Sequence, residues 1–216
     1  MESTGISMID HQLEKLAACL QKDLPGASAQ SLMRPSVHPD DLLGNIGSSA
    51  KSRGVLILLF PGSDGISTVF ILRTQGGLHG GQISLPGGKQ EASDKDLVQT
   101  ALRESYEEIG VDPKSVSVLG LLSPLFVPYS NFIIQPVVGA VTVEPLFIPE
   151  PIEVADIIVV PLKQLFAREN HKTTVIHRAG KEIVAPFYEA SGKSIWGATA
   201  MIMSELEQLL ISCICE

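Results

Sequence analysis

With 216 residues, 44% of them apolar and 19% charged, the chain is long enough for one sizeable core and too apolar for disorder to be expected. Its formal net charge of −8 argues against a nucleic-acid partner, because a grip on the phosphate backbone needs clustered Lys and Arg. The opening MESTGIS lacks the apolar core of a signal peptide and no window has the apolar length of a membrane span, so a cytoplasmic location without a membrane partner is expected.

In chain order, Ile6, Ile9, Leu13, Leu16, Ala17 and Leu20 recur at helical spacing, predicting a helix over 6–20 that Pro25-Gly26 closes. Residues 27–53 are rich in Ser, Pro, Gly and Asp and read as a connecting arm, which divides the chain into a helix with arm over 1–53 and a domain over 54–216. Val55 to Phe60 is an apolar run bounded by Gly54 and Pro61-Gly62, the pattern of a buried strand. Thr68 to Leu72 repeats it and is expected to pair with it across the loop 62–67. A glycine-rich stretch, 76–88, leads to a helix over Asp96 to Ile109, with Ser93 or Asp94 as N-cap and Gly110 as the residue that ends it. Strands are expected over 116–122, 132–143 and 157–160, then a short helix over 162–166. Val175-Ile176 and Ile183-Val184 flank Ala179-Gly180 as a hairpin, and an apolar helix over 198–213 closes the chain. The terminal helices read as packing surface, with a homodimer face as the alternative. Cys19, Cys213 and Cys215 cannot all pair within one chain and are read as reduced. The whole is an α+β order, a mixed sheet with helices on its faces.

The helix over 96–109 carries the chemistry. On a helical wheel Val98, Ala101, Leu102, Ser105 and Ile109 share one arc, the core face, while Glu104, Glu107 and Glu108 gather on another. An ordinary solvated face is the bland alternative, yet like charges at these spacings oppose a helix by about 0.2–0.5 kcal/mol per pair. A divalent cation reverses that sign, and an oxygen-only carboxylate cluster suits Mg²⁺ or Mn²⁺. Arg103, one turn before Glu107, is placed to orient it, and Gly87-Gly88 lets a phosphate approach the backbone closely.

The segment Gly87-Gly88-Lys89 followed by Arg103-Glu104-x-x-Glu107-Glu108-x-Gly110-Val111 resembles the Nudix box. Gly88 stands one residue farther from Arg103 than the general box requires, and Lys95 takes the place of its first Glu. That longer spacing, with Glu91, Asp94, Thr100 and Ala101, is similar to the coenzyme A pyrophosphatase branch, as are the approach His79-Gly80-Gly81-Gln82-Ile83-Ser84 and the run Trp196-Gly197-Ala198-Thr199-Ala200. The loop after Arg73 departs from it, because Gln75-Gly76-Gly77-Leu78 lacks the branch's further arginine. The resemblance implies a Nudix fold, a mixed β-sheet sandwiched between α-helices. It also implies Mg²⁺ or Mn²⁺ on Glu104, Glu107 and Glu108, and catalysis by Glu104, Arg103, Glu107 and Glu153. Gly87, Gly88, Lys89, Arg73 and His79 would lie at a small-molecule pyrophosphate substrate, coenzyme A or an acyl-coenzyme A first. ADP-ribose, a nucleotide sugar or a dinucleotide is the second reading, and a non-catalytic nucleotide sensor the third. Trp196 stays open between a core aromatic and a stacking platform.

Overall fold

The computed structural model describes residues 2–36, 50–76, 80–178 and 181–214. In chain order these form α1 (Glu2–Cys19), α2 (Gly26–Gln30), β1 (Lys51–Gly62), β2 (Gly65–Arg73), β3 (Ile83–Ser84), β4 (Gly87–Lys89) and α3 (Leu97–Ile109). There follow β5 (Ser117–Leu121), β6 (Leu125–Val127), β7 (Phe132–Ala140), β8 (Val154–Pro161), α4 (Leu162–Leu165), β9 (His171–Arg178), β10 (Lys181–Ala190), β11 (Lys193–Trp196) and α5 (Gly197–Ile214).

The strand β1 sits at the middle of a mixed sheet. It pairs parallel with β7 and antiparallel with β2 and β4, while β8 and β3 extend the β2 side and β5 and β6 the β7 side. Its continuous apolar run follows from burial on both faces. Leu56, Leu58 and Phe60 share one buried cluster with Ala101 and Ile109 of α3, whereas Ile57 and Leu59 share another with Met203 and Leu206 of α5. The expected pairing with β2 holds, but through a tight turn with Gly62 opposite Gly65 rather than a loop to Ser67. The strand also starts at Lys51, inside the stretch read as a connecting arm, because its backbone ladder with β7 continues past the apolar residues.

A second sheet, β9-β10-β11, extends the sandwich. The predicted hairpin is there, with Val175 opposite Val184 and Ile176 opposite Ile183, although its tip at Ala179-Gly180 lies outside the described residues. Pro25-Gly26 opens α2 instead of merely ending α1. The closing helix is packing surface: Met201, Ile202, Met203, Leu206 and Leu209 are all buried in the chain's own core. Its buried Glu205 accepts the Gly26 N–H at 3.1 Å, the Gln30 amide at 2.8 Å and the Ser123 N–H at 3.1 Å, so one carboxylate ties α2 and the segment after β5 to α5. No described helix is long and apolar enough to cross a membrane.

The reading of all cysteines as reduced is overturned: Cys19 and Cys213 form a disulfide, their Cα atoms 6.4 Å apart. Counting thiols missed it because the pairing is set by α1 lying against α5, with Leu16 and Leu20 in the same core cluster as Leu206 and Leu209. Cys215 lies outside the described residues. Cross-linking residues so far apart in sequence restricts the unfolded chain, so Cys19→Ser should cost about 2–4 kcal/mol of stability. Denaturant unfolding of the variant and of the reduced wild type should agree, and a disulfide-linked peptide pair should appear on non-reducing digestion. Two free thiols at these positions would show the bridge does not form.

Candidate active site

The helix α3 begins differently from expectation. Its N-cap is Asp96, whose carboxylate accepts the Gln99 N–H at 2.8 Å, not Ser93 or Asp94. Asp94 is otherwise engaged: it accepts from the Glu91 N–H, the Thr100 hydroxyl and two nitrogens of Arg103, each near 3.0 Å. The Arg103 hydrogen bonds hold its carboxyl down at about 2 and keep the guanidinium firmly protonated. At the other end Gly110 adopts the left-handed conformation expected of it, with φ 74°.

Arg103 is the hub of the exposed side of the helix. Besides Asp94 it reaches Glu104 Oε1 at 3.0 Å, Glu107 Oε2 at 2.9 Å and the Lys89 carbonyl at 3.1 Å. The i,i+4 pair with Glu107 is therefore as the sequence implied. Lys89 contributes that carbonyl, and its side chain is exposed.

Glu108 does not join this cluster. It is 2% exposed, on the same side of α3 as Ala101 and Ser105, and accepts the Gly87 N–H at 2.7 Å and the Arg73 guanidinium at 3.0 Å. Arg73 in turn approaches Glu153, an exposed carboxylate, at 3.7 Å. The wheel put Glu108 with Glu104 and Glu107, but it stands on the boundary arc, and two donors beneath the helix draw it inward. Among the described residues no three acidic, His or Cys side chains converge closely enough to form a ready-made metal cage.

The glycine strand β4 makes this arrangement possible. A Cβ on Gly88 would lie 2.2 Å from the Glu104 carboxylate, and Gly87 has φ 143°. Opposite Lys89 on β1 stands Arg53, which no motif signalled. Its guanidinium lies 4.0 Å over the Phe132 ring, and its buried Nε has no hydrogen-bond partner. Burial first, and then Arg73, lower its pKa, while Glu104 and Glu108 act the other way. Two guanidiniums close enough to oppose each other, with an unsatisfied donor, suit an anionic ligand. His79 lies outside the described residues.

The residues fit a hard divalent cation in donor chemistry. Arg103 takes one oxygen each from Glu104 and Glu107, leaving the second oxygen of both for a cation, and the donors are all oxygen. Charge points the same way: burial raises the pKa of Glu104, with Glu107 and Glu153 adding like charge against the Arg103 contacts.

The arrangement is a mixed sheet with a glutamate-rich helix set against a glycine strand. The NUDIX domain profile matches residues 50–179, and the chain belongs to the Nudix family. It is 35% identical over 130 residues to the uncharacterized Nudix hydrolase NudL of Pectobacterium atrosepticum, covering 59% of this chain and 66% of that protein. It is 37% identical over 161 residues to the chloroplastic Nudix hydrolase 22 of Arabidopsis thaliana, covering 71% and 53% respectively. The chain thus spans between about half and two thirds of these relatives' length. In fold it is similar to a MutT/nudix family protein from Enterococcus faecalis, with TM-score 0.51 and 18% identity over 76% of this chain and 63% of that one.

Glu108 yields a test that does not need turnover. Burial under α3 outweighs the Gly87 and Arg73 hydrogen bonds and pushes its carboxyl up to about 7. A raised carboxyl favours the protonated folded form, so its contribution is present below the ordinary carboxylate range and lost as pH rises through about 7. Thermal unfolding between about pH 5 and pH 8 should show this loss, on the order of 3 kcal/mol, and Glu108→Gln should flatten it. An equal slope in wild type and variant would assign the titration to other groups.

Proposed function

We propose that the chain hydrolyses the pyrophosphate bond of a nucleoside diphosphate derivative, coenzyme A or acyl-coenzyme A first, with coenzyme A giving 3′,5′-ADP and 4′-phosphopantetheine. The observation that carries the reading is the seating of the α3 carboxylates on the Gly87-Gly88 strand, beside Arg53 and Arg73. Backbone free of side chains, two cations and a carboxylate face together can receive a diphosphate.

Glu104 and Glu107, each with one oxygen outside the Arg103 contacts, are the proposed metal residues, with Glu108 joining them by exchanging its Gly87 or Arg73 contact for the cation. Mg²⁺ or Mn²⁺ bound there would neutralise the diphosphate and ease formation of hydroxide. Arg103, fixed by Asp94, holds Glu104 and Glu107 in place. Arg73 and Arg53 orient the phosphates, with Lys89 and His79 as further contacts. A water oxygen bonds to one phosphorus in line with the bridging oxygen, that P–O bond breaks, and the other phosphate leaves. Glu104, half-buried with a raised pKa, takes the proton from water in the first instance, and the more exposed Glu153 is the second candidate. The branch-like box spacing, the approach 79–84 and the run 196–200 support coenzyme A.

Turnover should vanish in excess EDTA and return with Mg²⁺ or Mn²⁺, and Glu107→Gln should slow it about a hundredfold or more without unfolding the chain. Full activity in chelator would place the chemistry elsewhere.

A second reading rests on the segment after Arg73, where Thr74-Gln75-Gly76 provides no guanidinium for a 3′-phosphate. Dephospho-coenzyme A should therefore be cut at a rate within about tenfold of coenzyme A. Coenzyme A, dephospho-coenzyme A, ADP-ribose and a dinucleoside polyphosphate, compared at equal concentration with products identified by mass, decide the substrate. A far higher rate on ADP-ribose or the dinucleotide would move the assignment away from coenzyme A.

A further inference from the structure

A cavity of about 390 Å³ opens beside the catalytic face, between the end of β2 with the segment entering β3 and the last strand, β11. Leu72, Ile83 and Trp196 line it with apolar surface, Gln82 and Ser194 with amide and hydroxyl, and Lys193 stands among them. Its near wall is continuous with the site: the Arg73 N–H donates to the Gln82 carbonyl at 3.0 Å, and its carbonyl accepts the Gly81 N–H at 3.1 Å. An occupant of the cavity is therefore attached, through two backbone bonds, to the arginine that holds Glu108. The far wall, 193–196, lies beyond the residues 50–179 that match the family profile. A segment outside the matched domain thus shapes the space next to that domain's glutamate-bearing helix and its arginine contacts.

Trp196 is only half-buried and faces this space, which favours a ligand wall over a core aromatic. The run it opens has a structural counterpart: the Thr199 hydroxyl donates to the Ile83 carbonyl at 3.3 Å, fastening the start of α5 to the opposite wall. Lys193 is engaged by Asp156 at 2.6 Å, so the rim presents a neutralised pair rather than a phosphate-binding cation. A second phosphate or a bare sugar would leave three apolar side chains uncovered, and a single planar ring would not fill the volume.

We propose that this cavity binds the non-nucleotide arm of the substrate, an uncharged chain in which methylene and amide groups alternate, as in pantetheine. The methylenes cover Leu72, Ile83 and Trp196, and the amides meet Gln82 and Ser194. The assignment rests on the reading of α3 as the hydrolytic face and extends it to substrate selection.

The sequence contains one tryptophan, so its intrinsic fluorescence reports on this cavity alone. Titration of the wild-type chain with 4′-phosphopantetheine, excited selectively at the indole, should give a saturable change, while ADP at the same concentrations gives none. Trp196→Ala should raise KM for coenzyme A and dephospho-coenzyme A about tenfold or more with ADP-ribose unaffected, and Trp196→Phe should restore most of the loss. A silent tryptophan, an equal response to ADP, or an equal loss on every substrate overturns the subsite. Coenzyme A cut normally with Trp196 silent defeats the subsite alone. A saturable response with no pyrophosphate cut defeats the hydrolase reading and keeps the subsite.

Discussion

The buried carboxylate of Glu108 is the contact on which the seating of α3 on the glycine strand depends. It lies beneath α3, takes the Gly87 N–H of β4 with one oxygen and Arg73 at the end of β2 with the other, and so joins helix, glycine strand and the end of β2 at one point. Removing Glu108 leaves the partly exposed Arg73 with its longer contact to Glu153, whereas removing Arg73 leaves Glu108 buried with the Gly87 N–H alone, the costlier of the two losses. The exposed pair Lys163–Asp64, at 3.4 Å, contributes about 0–1 kcal/mol. The position of β4 under the helix is thus set by chemistry that the site also uses, and a side chain at Gly88 would push the two apart.

Charge is distributed around that contact in a hierarchy. Asp94, itself buried, fixes Arg103 from below, so the guanidinium presents a set of donors to Glu104 and Glu107 instead of following them. Arg73 performs the same service for Glu108 and leans toward Glu153. Arg53 is balanced by neither arrangement in full: it leans on the Phe132 ring and keeps a buried donor unused. The spare charge on Arg53, set against the carboxylates of Glu104 and Glu107, suits the ligand proposed for this face, one that brings both a diphosphate and a cation.

The large elements were legible because their residues alternate or recur with burial. The strand β1 is apolar on both faces, and its run was found at once, while its ends, Lys51 to Arg53 and Pro61-Gly62, are strand only through the ladders with β7 and β2. Two- and three-residue strands such as β3 and β4 carry no period to read. Arg103, Glu104 and Glu107 were legible from spacing, whereas the inward turn of Glu108 depends on donors from two distant strands. Arg53 borders an apolar run with no motif around it, and the sign that could have marked it was a cation directly before Gly54 at the head of that run. The N-cap falls two residues after Asp94 and three after Ser93, the two candidates, because Asp94 and Asp96 look alike until Arg103 claims the first. Cysteine counting failed for the same reason, since only packing brings Cys19 to Cys213.

The C-terminal segment joins stability to selection. β11 leads directly into α5, whose first turn holds Ile83 through Thr199 and whose body lies in the core with Leu16 of α1 and Leu20 just after it. Within the same helix Glu207 accepts the Tyr188 hydroxyl at 2.6 Å and pairs with His171 at 3.2 Å, which anchors α5 to the second sheet as well. A wall held from three directions cannot shift without disturbing packing that each buried apolar side chain stabilises by about 1.5–3 kcal/mol. The cavity is therefore formed before any ligand arrives. For the proposed subsite, little ordering cost then falls on binding, and selection rests on how well the arm of the substrate matches a fixed surface.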